Sequence, residues 1–394
     1  MKTFIPILIL FLLALYACIP DKAKSYYNSG VAYYNQGQYD SAIANFTAAI
    51  NIYPKYAAAY NYRGSAYKKQ NKLDSALADF TSAIKINQLY ENAYYNRGSV
   101  YSLKEMYDSA LADFNIAIKI DPLDDYAFEY RGYVYDQMEK YQLALIDYAS
   151  AIEINPNYAE AYNNRGFDYY ELGKYKLAVE EYTFAIRIKN NYETAYYNRG
   201  DAYLKMNNNQ LAISDFTFAI KINSEFSKAY CERGYTYNKI GERDLAIADY
   251  NASIKINPLN PTAYYNRGSV YDDNNEFGLA MADYKMAISL DSEDENPINN
   301  RGVIYYKQGN FELAIKDFQS AIEINPRMKA AYNSLGNSYN KLGERELSIA
   351  NFKIAADLDE PDAITALKND FNIDYNPNHQ NVLYLKKKKK KKLS

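Results

Sequence analysis

Nucleophilic catalysis requires a nucleophile held beside a base, and few residues in this 394-residue sequence could supply the pair. There is one histidine, His379, and there are two cysteines, Cys18 and Cys231. Two cysteines this far apart provide no disulfide framework. Zinc needs three or four Cys, His or carboxylate ligands held together, and no glycine-rich phosphate loop is present. No metal, cofactor or catalytic residue is therefore expected. What remains is the chemistry of carboxylates and guanidiniums, and these recur at fixed intervals. Arginine stands at 63, 97, 131, 165, 199, 233, 267 and 301, and sixteen residues after each comes an acid: Asp79, Asp113, Asp147, Glu181, Asp215, Asp249, Asp283 and Asp317. An ion pair repeated eight times reads as a structural bridge. A ladder of guanidiniums binding an anion is the alternative, and it is weakened because each Arg already has an acid of its own.

The elements that position these pairs follow from a 34-residue period. Glycine occurs at 30, 64, 98, 132, 166, 200, 234, 268, 302 and 336, with a tyrosine three residues after each, from Tyr33 to Tyr339. Twelve residues after each Gly lies a small residue, Ala42 through Ala314 and then Ser348, and four further on is always Phe or Tyr, from Phe46 to Phe352. Tyr60, Gly64 and Tyr67 fall at i, i+4 and i+7, one face of a helix, and Ala76, Phe80 and Ala83 repeat that spacing on a second helix. Gly64 and Ala76 are small where the two helices should touch. Reuse of one position also accounts for 46 Tyr against 16 Phe and no Trp.

This pattern resembles the tetratricopeptide repeat over residues 23–362, with Tyr60, Tyr94, Phe128 or Ile298 at the place where that family commonly has Trp. The resemblance implies an all-α fold, a right-handed superhelical solenoid of ten helix-turn-helix units. Pro361 then opens a C-terminal capping helix, and residues 363–378 hold this helix, with Leu367 and Phe371 covering the open end, and the start of a polar tail expected to be disordered from Asn372 onward. Between the two helices of a unit stand Gly37, Asn71, Gly173, Asn207, Gly241, Asn275, Gly309 and Gly343, suited to a left-handed turn. Glu105 and Glu139 stand there in repeats three and four, where strain is expected. The terminal repeats lose Arg and acid together, having Ser29 with Asn45 and Leu335 with Asn351. Pairing across neighbouring repeats would leave Asp317 facing Leu335, so the bridges are placed within a repeat.

Before the repeats, Phe4 to Tyr16 is a nearly unbroken apolar run behind Lys2. Thirteen helical residues span roughly 20 Å, short of the ~30 Å hydrocarbon core, so residues 1–17 read as a signal peptide. The junction Leu15-Tyr16-Ala17-Cys18 resembles the lipobox of bacterial lipoproteins, with Tyr16 as a departure at −2. That resemblance implies cleavage before Cys18, a thioether lipid on its sulfur, a short linker over 18–22 and a place in the cell envelope on either face of the membrane. A plain secretory signal with an unmodified cysteine is the other reading.

With no catalytic constellation, the expected function is a non-catalytic scaffold for protein–protein interaction. In the tetratricopeptide family the first helix of each unit lines a concave groove. Carried over by position, the groove here includes Tyr27, Tyr34, Tyr95, Tyr126, Tyr133, Asn163, Phe167, Tyr170, Tyr197, Tyr235, Tyr265 and Tyr306, a lining suited to an extended or helical segment of a partner. These side chains could equally be a Tyr- and Asn-rich filling of solvated positions. A chaperone-tail clamp would need Lys where Tyr27, Asn61, Tyr95, Glu129 and Asn163 stand, and Cys231 shares that column as a passive residue. The tail 379–394 is expected to be disordered. Its run Lys386–Lys392 leaves 38 basic against 48 acidic residues in the rest of the chain, a mildly acidic body that argues against nucleic acid. The lysines could draw the protein to a polyanion or membrane with the solenoid as spacer, act only as a solubilising tail, or be an accident of a read-through adenine tract.

Overall fold

The computed structural model describes residues 19–378, so Cys18 with the apolar run before it and the tail from His379 onward lie outside the described residues. Within that range all regular structure is helical. Twenty-one α-helices follow one another as consecutive pairs, from Asp21–Asn35 with Tyr39–Ile52 to Lys329–Lys341 with Arg345–Asp357, and Pro361–Phe371 closes the series. This is an all-α helical-repeat fold of ten pairs and a capping helix. The chain divides into two compact bodies between Ala195 and Tyr196, inside the helix Glu193–Lys205. Repeats 1 to 5 belong to the N-terminal body, and repeats 7 to 10 with the last helix belong to the C-terminal body.

Each pair is set by one contact. The aromatic ring of the second helix lies against the glycine of the first, so close that a Cβ on that glycine would stand 2.6 Å from the Phe46 ring at Gly30 and 2.7 Å from the Tyr182 ring at Gly166. No real Cβ tolerates such an approach, so alanine there would force the helices apart. The rings are fully buried at Phe46, Phe80, Phe114, Tyr148, Phe216, Tyr250, Tyr284, Phe318 and Phe352.

The Arg–acid pairs form as expected. In the seven Arg–Asp pairs, Nε and Nη2 donate to the two carboxylate oxygens at 2.6–2.8 Å. The acids are buried and the guanidiniums partly so. The structure adds a link that the spacing did not reveal: Nη1 of Arg63, Arg97, Arg131 and Arg233 donates to Thr47, Thr81, Asn115 and Thr217 on the second helix of the preceding repeat. One guanidinium therefore ties together three helices. Its face is covered by the ring three residues earlier, as with Arg63 over Tyr60 at 5.4 Å and Arg131 over Phe128 at 5.5 Å.

The turn inside each repeat is left-handed, at Gly, Asn and also at Glu105 (φ 58°) and Glu139 (φ 57°). For a residue with a Cβ this backbone costs roughly 1–2 kcal/mol. Between most repeats, Asn or Asp ends the second helix and its side chain accepts the N–H two residues on, as at Asn87 to Leu89 and Asp121 to Leu123, an Asx turn that starts the next unit; Tyr53 and Lys189 stand there after repeats 1 and 5.

Both ends of the described chain are covered. Residues 19–22, expected to serve as a linker, enter the first helix directly: Ile19 is buried with Ala23, Ala49 and Tyr56, and the helix begins at Asp21. At the other end Leu367 and Phe371 pack on Tyr332, Phe352 and Ala355. The expectation that the chain loosens from Asn372 is corrected. Asn372 takes the left-handed cap, Ile373 packs on the end cluster, and Tyr375 Oη and the Asn378 N–H both donate to Asp357.

Repeat 5 departs from the bridge geometry. Arg165 gives Nη2 alone to both oxygens of Glu181, at 2.9 and 2.8 Å, and its Nε is buried with no partner. The extra methylene of Glu carries the carboxylate past the position that Asp holds elsewhere. Glu181→Asp is expected to restore the two-nitrogen bridge and raise stability by about 1 kcal/mol. An unchanged or lower unfolding midpoint in a denaturant titration would show that the longer acid is the better fit.

Candidate functional site

The first helices carry the residues expected to bind, and the structure separates them into packed and open sets. Counting from the repeat glycine, residues three before it lie at the seam between neighbouring repeats. Tyr27 meets Phe46, Tyr56 and Tyr62 with ring centroids 5.9, 4.9 and 5.6 Å away, and Tyr95 meets Phe114 and Tyr130. In the C-terminal body Tyr197 packs on Phe216 and Phe226, and Tyr265 on Tyr284. Asn163 in the same column is only 6% exposed, as are Asn61 and Asn299, and Cys231 is buried with its thiol pushed up to about 12, chiefly by burial. Residues four after the glycine are half-packed on the ring that opens the second helix: Tyr34 on Tyr39, Tyr170 on Tyr175, and Tyr306 on Phe311.

The open aromatics are fewer. Tyr126 (53% exposed), Tyr133 (41%) and Phe167 (38%) lie on the N-terminal body, and Tyr235 (44%) lies on the C-terminal body. Tyr133, Phe167 and Tyr235 each directly follow a repeat glycine, the position that points away from the second helix. Beside Tyr126 and Tyr95 a cleft of about 280 Å³ is lined by Glu91, Asn92, Asp121, Asp124 and Asp125. Burial, then a shared hydrogen bond with Asp124 and the charges of Asp124 and Asp121, hold the Glu91 carboxyl well above the usual carboxylate range.

Two buried acids on this face were missed. Glu129 stands where other repeats have Tyr, Asn or Cys; it accepts from Asn164 Nδ2 at 2.8 Å and Tyr158 Oη at 3.4 Å, and burial pushes it up to about 7. Asp168 is fully buried, and neither of its oxygens receives a donor. Burial first, then the Asp136 charge and a proton shared with Asp136, raise it far above the ordinary range. The signal for Asp168 was available in the repeat alignment, because that position is Ala32, Ala66, Val100, Val134, Ala202, Thr236, Val270, Ile304 or Ser338 in the other repeats and never an acid. Among the described residues no group of three or more His, Cys, Asp and Glu side chains is placed to hold a metal ion, and no helix is long and apolar enough to cross a membrane.

Helix pairs that each pack on their neighbours, with aromatic side chains open on the first-helix side, define a helical-repeat scaffold. Family models confirm which kind. Two models described as tetratricopeptide repeat match residues 23–56, 91–123, 194–226 and 298–328, and 131–158, 261–294 and 330–362. A third, described as TPR repeat, matches 64–105, 168–207 and 234–275. The chain belongs to the tetratricopeptide repeat family, whose members are scaffolds that bind proteins or peptides and are generally non-catalytic. No match is found among curated proteins. Of the solved structures, a tetratricopeptide repeat protein from Parabacteroides merdae is similar at 22% identity over 66% of this chain and all of its own, with a TM-score of 0.50, a likeness of fold. YrrB, described as a TPR protein with an unusual peptide-binding site, is similar at 28% identity over 47% of this chain and 95% of its own, with a TM-score of 0.39.

The raised Glu129 predicts a pH dependence. Its folded value, about 7, lies above its ordinary 4.5. The stability it contributes is therefore fully present below about pH 4.5 and is lost as pH rises through about 7. Glu129→Gln keeps an acceptor for Asn164 without a charge. Its unfolding midpoint relative to the parent is expected to climb steadily between pH 4.5 and 7, and a difference constant across that range would contradict a buried, proton-binding Glu129.

Proposed function

We propose that this chain is a non-catalytic scaffold whose first-helix face, in the N-terminal body, holds a segment of a protein partner, and that lipid on Cys18 tethers it to a bacterial membrane in the cell envelope. One observation carries the first part. Tyr133 and Phe167 occupy the same column of consecutive repeats and stay open to solvent, and the helix that carries Tyr133 also carries Tyr126, exposed beside a polar cleft. Tyr and Phe give rigid contact area at low conformational cost, and Tyr adds one hydrogen bond, so such a column suits side chains of an extended or helical segment. The sequence Leu15-Tyr16-Ala17-Cys18 after an apolar run supports the tether.

The binding face is tested by comparing recovery of envelope partners by the full-length protein, by Tyr133→Ala with Phe167→Ala, and by a deletion of Lys386–Ser394. Loss with the double substitution and retention with the deletion is expected. The reverse pattern would favour the reading in which the lysine run engages a polyanion and the repeats act as a spacer.

The tether is tested by intact mass and membrane fractionation beside Cys18→Ala. A wild type cut before Cys18, carrying acyl mass and retained in the membrane, is expected, with the variant released. Retention of residues 1–17 in both proteins would refute lipidation.

A further inference from the structure

The second helices of the C-terminal body leave an apolar stripe uncovered. Eleven residues after the repeat glycine, Leu211, Leu245 and Leu279 are 49, 47 and 49% exposed. Repeats 1 to 3 have Ser41, Ser75 and Ser109 at that position, and every repeat from 4 to 10 has Leu. One and two turns further along the same helix face come Ser214 and Phe218, Ala248 and Ala252, and Ala282 and Met286. No charge enters the stripe in repeats 6 to 8, whereas Glu180 interrupts it in repeat 5 and Lys316 in repeat 9. Phe218 is 47% and Met286 43% exposed, and Phe218 keeps one face against Tyr196 at 5.4 Å. Single exposed leucines are ordinary on a protein surface, but an aligned series across three consecutive repeats marks an interaction surface.

The two ends of the stripe are polar and differ in sign. Three residues before the leucine stand Asn208, Glu242 and Glu276, and three residues after the Phe, Ala or Met stand Lys221, Lys255 and Ser289. Glu242 and Lys255 are both exposed. At about 1.5 Å per residue they lie roughly 20 Å apart along one helix, too far to meet within a copy. The five large apolar side chains leave roughly 500 Å² open, against about 450 Å² of apolar surface per partner in an interface of standard size.

We propose that a second copy of this chain covers this face, each second helix of repeats 6 to 8 lying antiparallel on its own equivalent across a two-fold axis that runs along the stack of repeats. Such a contact is isologous, so one stripe must complement itself. Placed antiparallel, the leucine at one end of each stripe meets the residue at the other end in the copy: Leu211 meets Phe218, Leu245 meets Ala252, and Leu279 meets Met286. Glu242 then meets Lys255 twice, once in each direction. Asn208 faces Lys221 and Glu276 faces Ser289, pairs able to hydrogen-bond. The other two-fold arrangement, with the helices parallel, would set Glu242 on Glu242 and Lys255 on Lys255, and juxtaposed like charges are costly. The second helices carry this contact, so it leaves the first-helix face free in both copies and holds or fails independently of the partner reading above.

The test is sedimentation equilibrium of the full-length protein. The parent is expected to be a dimer, and Leu245→Glu to move the monomer–dimer midpoint about tenfold or more towards monomer, with thermal unfolding followed by circular dichroism to check that the fold is kept. Glu242→Lys and Lys255→Glu should each weaken the dimer, and the two together should restore it to within about threefold of the parent. Glu242 is the N-cap residue of Arg243–Ile256 and Lys255 lies in its last turn, where a lysine suits the helix dipole. A merely local effect would therefore make the double reversal no better than either single one. A parent that stays monomeric up to about 0.1 mM, or a dimer that Leu245→Glu leaves unchanged, would overturn the interface. A dimer that the double reversal fails to restore would overturn the antiparallel arrangement.

Discussion

An aromatic ring seated on a glycine governs this molecule. In every repeat the ring of the second helix stands where a Cβ of the first would have to be, 2.6–3.1 Å away. The contact sets the separation of the two helices, and with it the need for Ala42, Ala76 and their equivalents on the facing side. It also explains why the ion pairs occur where they do. Arg63 immediately precedes Gly64 and Asp79 immediately precedes Phe80, so seating the ring on the glycine carries the guanidinium to the carboxylate. The bridge depends on the ring contact, and the eight Arg–acid pairs follow from it.

Once made, the bridges do more than close one repeat. Replacing a partly buried ion pair by apolar residues is often neutral for stability, while removing one partner alone is costly. Their value here is geometric. Arg63, Arg97, Arg131 and Arg233 each donate to their own acid and to a Thr or Asn of the repeat before, so the same guanidinium fixes the turn from one repeat to the next. A helical-repeat protein depends on such nearest-neighbour terms because no single repeat buries its own faces.

Several departures from the regular pattern fall in repeats 4 and 5, although Glu105 in repeat 3 shares one of them. Glu129 and Asp168 are buried acids without cations, Glu139 is forced into a left-handed backbone, and Glu181 makes a poorer bridge than the aspartates do. The same two repeats carry Tyr133 and Phe167 open to solvent. Natural sequences tend to break local rules where function competes with packing, and these breaches share two repeats with the aromatics of the proposed binding face.

Periodicity alone determined the architecture. A motif repeated ten times without insertion leaves helix pairs as the solution that keeps Gly64, Tyr67, Ala76 and Phe80 each on one face, and the loss of Arg and acid together in the end repeats revealed which residues pair. The cap by Leu367 and Phe371 was legible for the same reason, since the open end of the last pair must be covered. What periodicity could not supply was depth. Tyr27, Tyr95, Asn163, Tyr197 and Tyr265 share the first helices with Tyr133 and Phe167, yet they are packed in the seam between repeats, because how far neighbouring pairs close on each other is decided by contacts from outside the helix. The link from Arg Nη1 to the preceding repeat, the contact of the Lys68 ammonium with Ser99 and the paired Asp136 and Asp168 were hidden for that reason too. Each joins residues of neighbouring repeats, and only the packing of one helix pair on the next brings them within reach.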